Sequence, residues 1–178
     1  MLELNRISAR YGKQTVLDGI SVDFEKGKLT SIIGVNGCGK STLLKAILGI
    51  LSPSSGEIFI DGENLLTISR NEIAKKIAYL SQGKNIPDMT VEQMVLHGRF
   101  PYLSYPRRYS SHDREVAIKA MEIVGVAEFA HKPLYSLSGG MRQNAYIAMA
   151  LAQDTDYILL DEPTTYLDIA HQLELMRL

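Results

Sequence analysis

Gly34 to Thr42 reads GVNGCGKST, and the fold class turns on how that stretch is read. Gly34, Gly39, Lys40 and Ser41 satisfy the spacing G-x-x-x-x-G-K-[ST]. Glycines at these positions let the backbone amides of Gly34, Val35, Asn36, Gly37, Cys38 and Gly39 curl around a β-phosphate. Lys40 would then reach the β- and γ-phosphates, and Ser41 would ligate Mg²⁺. The flanks agree. Leu29 to Val35 is short, apolar and β-branched, which predicts a buried strand running into the loop. Lys40 to Ile50 predicts a helix with Leu43, Leu44, Ile47 and Leu48 on one side. Its positive N-terminus, including Thr42 in the first turn, would face the anion. A chance glycine-rich turn would need neither Lys-Ser-Thr nor these flanks.

Two further segments follow in order. Tyr157 to Glu162 reads YILLDE. Its first four residues are apolar on both faces, which predicts a central, parallel strand. Asp161 then falls at the carboxyl edge of the sheet, where such sheets bind ligands. There it would hold Mg²⁺ directly or through water, and Glu162 is the candidate general base for an attacking water. Standing alone, the pair would read as solvated charge after a strand; a phosphate loop upstream favours the chemical reading. Leu137 to Gly140 reads LSGG. Ser138, Gly139 and Gly140 at a helix start would make a second anion site of amides and a hydroxyl, although Ser-Gly-Gly by itself is more often an ordinary N-cap.

Composition sets bounds. The 178 residues fit one domain with room for a small subdomain, and 46% apolar with 22% charged residues is the make-up of a soluble globule. A net charge of −1 lends no support to non-specific nucleic-acid binding. The single cysteine, Cys38, cannot form an internal disulfide, which points to a reducing compartment. Within the glycine loop it reads as a small side chain on a working backbone rather than a redox sensor. The N-terminus has no apolar run of signal-peptide kind. No uninterrupted apolar stretch approaches the ~20 residues of a membrane span, so a membrane role would come through a partner.

Along the chain, Leu2–Arg10, Val16–Phe24, Glu57–Ile60 and Ile77–Leu80 read as strands. Ser69 with Glu72, and Thr90 with Gln93, form capping-box patterns ahead of short helices. Arg99 to Ser111, with three Tyr, two Pro and three Arg, reads as an exposed loop. His112–Val124 is an amphipathic helix. The helix after LSGG carries Ala145, Ala148, Met149 and Ala152 on one face. Asp168–Leu178 begins another helix. The layout is α/β: a nucleotide-binding core over 1–63 and 135–178, with a mainly helical subdomain at about 64–134.

With LSGG shortly before the Asp-Glu strand, and Arg142 and Gln143 after it, the chain resembles ATP-binding cassette (ABC) proteins over essentially its whole length. The resemblance implies a P-loop NTPase core with N-terminal antiparallel strands, and ATP with Mg²⁺ as cofactors. It implies that Tyr11 stacks on adenine. It implies that Gln82 contacts Mg²⁺ and the catalytic water while sensing a transmembrane partner, and that Thr165-Tyr166-Leu167-Asp168 crosses a dimer interface. Two cassettes would pair head to tail, with Ser138 and Gly140 acting on the neighbour's nucleotide. There are departures. Met141 stands where Gln is usual, and Asn144 where Arg is common. No residue fills the role of the family's late histidine, since His171 lies too near Asp161 and reads as a helix-surface residue. The final strand and C-terminal helices have no counterpart, so the chain is expected to be an incomplete cassette.

Three phrases point to a subgroup: His97–Leu103 with Tyr105–Arg108, Asp161–Ile169, and Ile147–Thr155. They look like the ATPase subunits of importers for iron–siderophore complexes, haem and vitamin B12. The partners so implied are a second cassette, transmembrane permease subunits and, indirectly, a substrate-binding protein. The location implied is the cytoplasmic face of the cell membrane. The loop Phe100–Arg108 would lie near the permease or be an ordinary solvated loop. Two other functions stand beside this one: a truncated cassette that binds ATP or a partner without turnover, and a non-transport ATPase acting on nucleic acid or ribosomes. The second would need coiled coils or tandem cassettes.

Overall fold

In the computed structural model, which describes residues 1–81 and 86–162, the first strands pair as the alternation predicts. β1 (Leu2–Tyr11) runs antiparallel to both β2 (Gln14–Phe24) and β3 (Ser55–Ile60), and β4 (Glu63–Asn64) closes a four-stranded sheet of order β2-β1-β3-β4. Leu2 stands opposite Ile60, and Leu4 opposite Ile58; all four are buried. That is the period-2 pattern placing one face of each strand inward. The alternation in β1 is loose because its register with both neighbours shifts after Leu4 or Asn5, where Arg6 takes a left-handed φ of 49°.

The sheet belongs to the first of two compact units, Met1–Ile77. The same unit carries α1 (Lys40–Ile47), which buries Thr42, Leu43, Leu44, Ala46 and Ile47, and α2 (Arg70–Lys76), capped by the Ser69 hydroxyl. One expectation fails here. Leu29 to Val35 forms no strand: Leu29 is 87% exposed and Ile33 92%. A β-branched run becomes a buried strand only when a ladder satisfies its amides and carbonyls, and among the described residues no strand pairs with it.

The second unit starts at Ala78. Here β5 (Ile77–Leu80) and β6 (Tyr157–Leu160) form a two-stranded sheet. Three helices share one core: α3 (Val91–Leu96), α4 (Ser111–Ile123) and α5 (Gly139–Ala152). Val91, Val95, Val126, Leu134, Ala145, Ala148 and Ala152 are its most deeply buried members. The alanine face of α5 allows close approach: at Gly98, a Cβ would stand 2.2 Å from the Met149 carbonyl oxygen. The expectation of a central β6 is not met among the described residues. β6 has one neighbouring strand there, and Ile158 and Leu160 are more than a third exposed.

Arg99–Ser111 also departs from the loop reading. His97–Tyr102 is a 3₁₀ helix, and Arg99 is buried with 4% exposure. Its Nε donates to Asp113 Oδ1 at 2.9 Å, and its Nη1 donates to the Ala152 carbonyl at 3.0 Å. Arg99 also lies 4.0 Å from the centre of the Tyr102 ring, whose hydroxyl donates to the Gln153 carbonyl at 2.9 Å. A guanidinium is buried when each donor finds an oxygen, and the last turn of α5 supplies carbonyls that lack helical partners. The loop proper begins later: Ser104 to Arg108 is exposed.

Candidate functional site

The glycine loop and the Asp-Glu strand fall in different units, so each half is described by itself. In the first unit, α1 starts at Gly39, whose φ of 102° is left-handed. A side chain there would be strained, and its Cβ would meet Leu17 Cδ2 at 3.0 Å and the Val16 carbonyl oxygen at 3.1 Å. The start carries no side-chain cap and no acidic residue in its first turn. It therefore presents main-chain amides and the positive end of the helix dipole, the combination that suits an anion. Gly34 is less constrained: a Cβ there would stand 2.6 Å from Cys38 Sγ, a side-chain atom that can turn away. The Cys38 amide closes the loop onto the Val35 carbonyl at 3.3 Å. Val35, Asn36, Gly37 and Cys38 are exposed, Ser41 is partly buried, and Thr42 is buried.

Lys40 Nζ donates to the carbonyls of Gly34 at 2.8 Å and Val35 at 3.0 Å. The ammonium thus sits over the loop at whose end its own helix begins. Tyr11, at the end of β1 and opposite Gln14, is 49% exposed. It is not a core tyrosine, and its ring is accessible for stacking.

In the second unit, Asp161 directly follows β6 and is 7% exposed, while Glu162 beside it is exposed. The Asp161 amide donates to the Leu80 carbonyl of β5 at 2.9 Å. The Tyr79 hydroxyl donates to Asp161 Oδ2 at 3.3 Å. Burial, then the charge of Asp161 and this hydrogen bond, push the Tyr79 phenol up to about 12, so it stays a donor at ordinary pH. Glu162 has a left-handed φ of 50°, which turns the chain sharply between two adjacent acids. Local strain of this kind concentrates at working sites.

The LSGG segment starts α5. Ser138, on extended backbone, accepts from the Met141 amide at 3.3 Å. Ser138 and Gly139 are exposed, Gly140 is buried, and the helix has no acid in its first turn. Ser138 is thus an N-cap, and the rest of the first turn suits an anion. Asn144 has a structural task of its own: its side-chain amide donates to the Val124 carbonyl at the end of α4, at 3.0 Å.

The donor chemistry fits Mg²⁺, a hard cation that takes one or two protein oxygens and completes its shell with water and phosphate. Ser41 offers a hydroxyl, Asp161 a carboxylate. Among the described residues no three His, Cys, Asp or Glu side chains gather as a denser metal cage would require. Gln82, Thr165–Asp168 and His171 lie outside the described residues.

The sequence profile of the family described as ABC transporter matches residues 17–165. The chain belongs to the ABC transporter family. This cassette is 44% identical over 178 residues to the petrobactin import ATP-binding protein FpuD of Bacillus anthracis, covering 99% of this chain and 65% of that protein. It is 43% identical to the iron(3+)-hydroxamate import ATP-binding protein FhuC of Bacillus subtilis, covering 99% of the chain and 66% of that protein. It therefore spans about two thirds of the length of these relatives. Among solved structures it resembles MJ0796, a bacterial ABC transporter cassette in dimeric form, with a TM-score of 0.82 and 28% identity over 99% of this chain and 80% of that one. Among the described residues no helix of the cassette is long and apolar enough to cross a membrane.

Two features escaped the sequence reading. Ser110 and Asp113 close a full capping box at the start of α4, and the pattern Ser-x-x-Asp was there to be read. Tyr79, three residues before Gln82, reads as an ordinary strand residue; its contact with Asp161 depends on β5 lying beside β6.

Proposed function

We propose that this chain binds and hydrolyses ATP to energise an importer, with iron–siderophore complexes as the cargo class. The observation that carries the proposal is the start of α1, where a left-handed glycine with no side-chain cap is followed at once by Lys40. A phosphate there would take the first-turn amides and draw Lys40 Nζ from the Gly34 and Val35 carbonyls. The loop Gly34–Gly39 with Ser41 and Thr42 would hold the triphosphate, and Tyr11 would stack on the base. Ser41, Gln82 and Asp161 would hold Mg²⁺, which supplies charge neutralisation at the phosphates. Glu162 would accept a proton from the attacking water, and Lys40 would stabilise charge developing on the transferred phosphoryl group.

The rest of the proposal concerns assembly. Ser138, Gly139 and Gly140 would complete the nucleotide site of a second, head-to-tail cassette, a reading supported by the dimeric form of MJ0796. The core over 1–63 and 135–178 would hold the nucleotide. The helical subdomain over about 64–134 would carry the segment Phe100–Arg108, whose exposed loop is Ser104–Arg108, toward a permease at the cytoplasmic face of the membrane. The cargo class is supported by the names of FpuD and FhuC, which concern petrobactin and ferric hydroxamate import.

The test is Mg²⁺-dependent ATP hydrolysis measured beside nucleotide binding, with Glu162→Gln as control. Binding is expected to survive the substitution, and turnover to fall at least about a hundredfold. Turnover retained by Glu162→Gln would remove Glu162 as the base. Binding without turnover in the unaltered chain would leave a nucleotide-holding cassette in place of an ATPase.

A further inference from the structure

Tyr79 and Asp161 meet across neighbouring strands. The main chain of Asp161 is pinned to β5 by its amide bond to the Leu80 carbonyl at 2.9 Å. One carboxylate oxygen, Oδ2, receives the Tyr79 hydroxyl at 3.3 Å. An aspartate at a strand end has staggered choices at χ1 and a broad, two-fold χ2. The main-chain bond settles where the side chain starts, but not how the carboxylate turns. Asp161 is 7% exposed, and a phenol donor from the adjacent strand favours the orientation that brings Oδ2 to it.

We propose that Tyr79 is a positioning residue for the Asp161 carboxylate, holding it in the orientation that takes Mg²⁺. The inference rests on the reading of Asp161 as the metal carboxylate and adds to it a residue that reading does not use. The ring of Tyr79 would pack equally well as phenylalanine, so only the hydroxyl is at issue. Outer partners of metal-binding carboxylates are typically worth 10–100-fold in affinity. A 3.3 Å O–H···O contact is long for its type, so an effect of about three- to tenfold is expected here.

The test is Tyr79→Phe, Asp161→Asn and the double substitution in the 178-residue chain. Mn²⁺ stands in for Mg²⁺ and is followed by electron paramagnetic resonance in the presence of a non-hydrolysable ATP analogue. Analogue binding without metal is measured in parallel. Tyr79→Phe should leave metal-free binding unchanged and raise half-saturating Mn²⁺ about three- to tenfold. Asp161→Asn should raise it further, and the double substitution should match Asp161→Asn alone, because the hydroxyl acts only through that carboxylate. If Asp161→Asn shifts Mn²⁺ binding and Tyr79→Phe does not, or tightens it, the positioning role fails while the metal reading of Asp161 stands. If Asp161→Asn has no effect, or the unaltered chain binds no Mn²⁺ with the analogue, the metal reading fails and takes the proposal with it. Equal shifts from Tyr79→Phe with and without Asp161, or a loss of metal-free binding, would also overturn it.

Discussion

The helix that follows the glycine loop and the helices of the second unit begin in opposite ways. α1 starts at Gly39 with a left-handed backbone, no side-chain cap and no acid in its first turn. α3 and α4 each start with a complete capping box, Thr90 with Gln93 and Ser110 with Asp113, and with an acid, Glu92 or Asp113, in the first turn. α5 stands between them, capped by Ser138 through one 3.3 Å bond and carrying no acid. All face the same problem: first-turn amides without helical partners and a positive dipole end. α3 and α4 answer it in part with their own side chains, and at α3 the Val91 and Glu92 amides also donate to the Lys132 and Ala130 carbonyls, which ties that start into the fold. α1 has neither device at its start, an arrangement that suits an anion. How a helix start is satisfied therefore separates scaffold from candidate site more sharply than glycine content does.

Among the self-satisfied helices of the second unit, the largest effect is expected at Arg99. Arg99→Met leaves Asp113 buried without its cation and removes a donor from the Ala152 carbonyl, so a loss of about 3–5 kcal/mol is expected in denaturant unfolding. A loss under about 1 kcal/mol would mean that the pair contributes like a surface ion pair. Acid titration of Asp113→Asn carries a sign. Burial alone would raise the Asp113 carboxyl, but the Ser110 hydroxyl and amide, then Arg99, outweigh it and hold it at about 2 against an ordinary 3.8. A carboxyl lowered in the folded chain stabilises above its unfolded value and ceases to do so as pH falls through its folded value. The stability gap between the unaltered chain and Asp113→Asn should therefore be full above about pH 5 and shrink between about pH 4 and pH 2. A gap constant over that range would show that the charge contributes nothing.

For α1, the test is at Gly39. Gly39→Ala forces an L side chain into a left-handed backbone, at roughly 1–2 kcal/mol, and presses its Cβ on Val16 and Leu17. Nucleotide affinity is expected to drop at least about tenfold by calorimetry, while Thr90→Ala, far from the loop in sequence, leaves it unchanged. Equal affinity in Gly39→Ala would mean that the left-handed start serves chain geometry alone. The smallest effects sharpen the middle case. Thr90→Ala should cost about 1 kcal/mol as a lost cap, and Ser138→Ala about 0.5 kcal/mol, because Ser138 is more exposed and its 3.3 Å bond is not paired with the reciprocal half of a capping box as at Thr90. A larger cost at Ser138 would place α5 with the scaffold helices.

Local signals told most of the helical story in advance. The spacing around Gly34–Ser41, the capping residues Ser69 and Thr90, and the alanine face of α5 are all written within a few residues of where they act. The extents of β5 and β6 were legible too, because short apolar runs bounded by polar residues leave little choice. Arg99 was misread because an arginine among tyrosines and prolines carries no sign of burial; its oxygens come from residues 14 and 53 positions away. Leu29–Val35 was misread for the converse reason. Its composition describes a buried strand, but burial belongs to the ladder rather than to the residues. Tyr79 could not be singled out, since its partner is 82 positions along the chain.

What depends on short-range geometry is legible in the chain of residues alone: the spacing of the glycine loop, the caps at Ser69 and Thr90, and the lysine and adjacent acids offered to a phosphate and its metal. Which charge is buried, which apolar run remains exposed and which hydroxyl turns toward Asp161 follow from contacts between distant residues. Those outcomes rest on desolvation and on donors and acceptors meeting across strands and helices, and residues brought together only by folding leave no mark in local spacing.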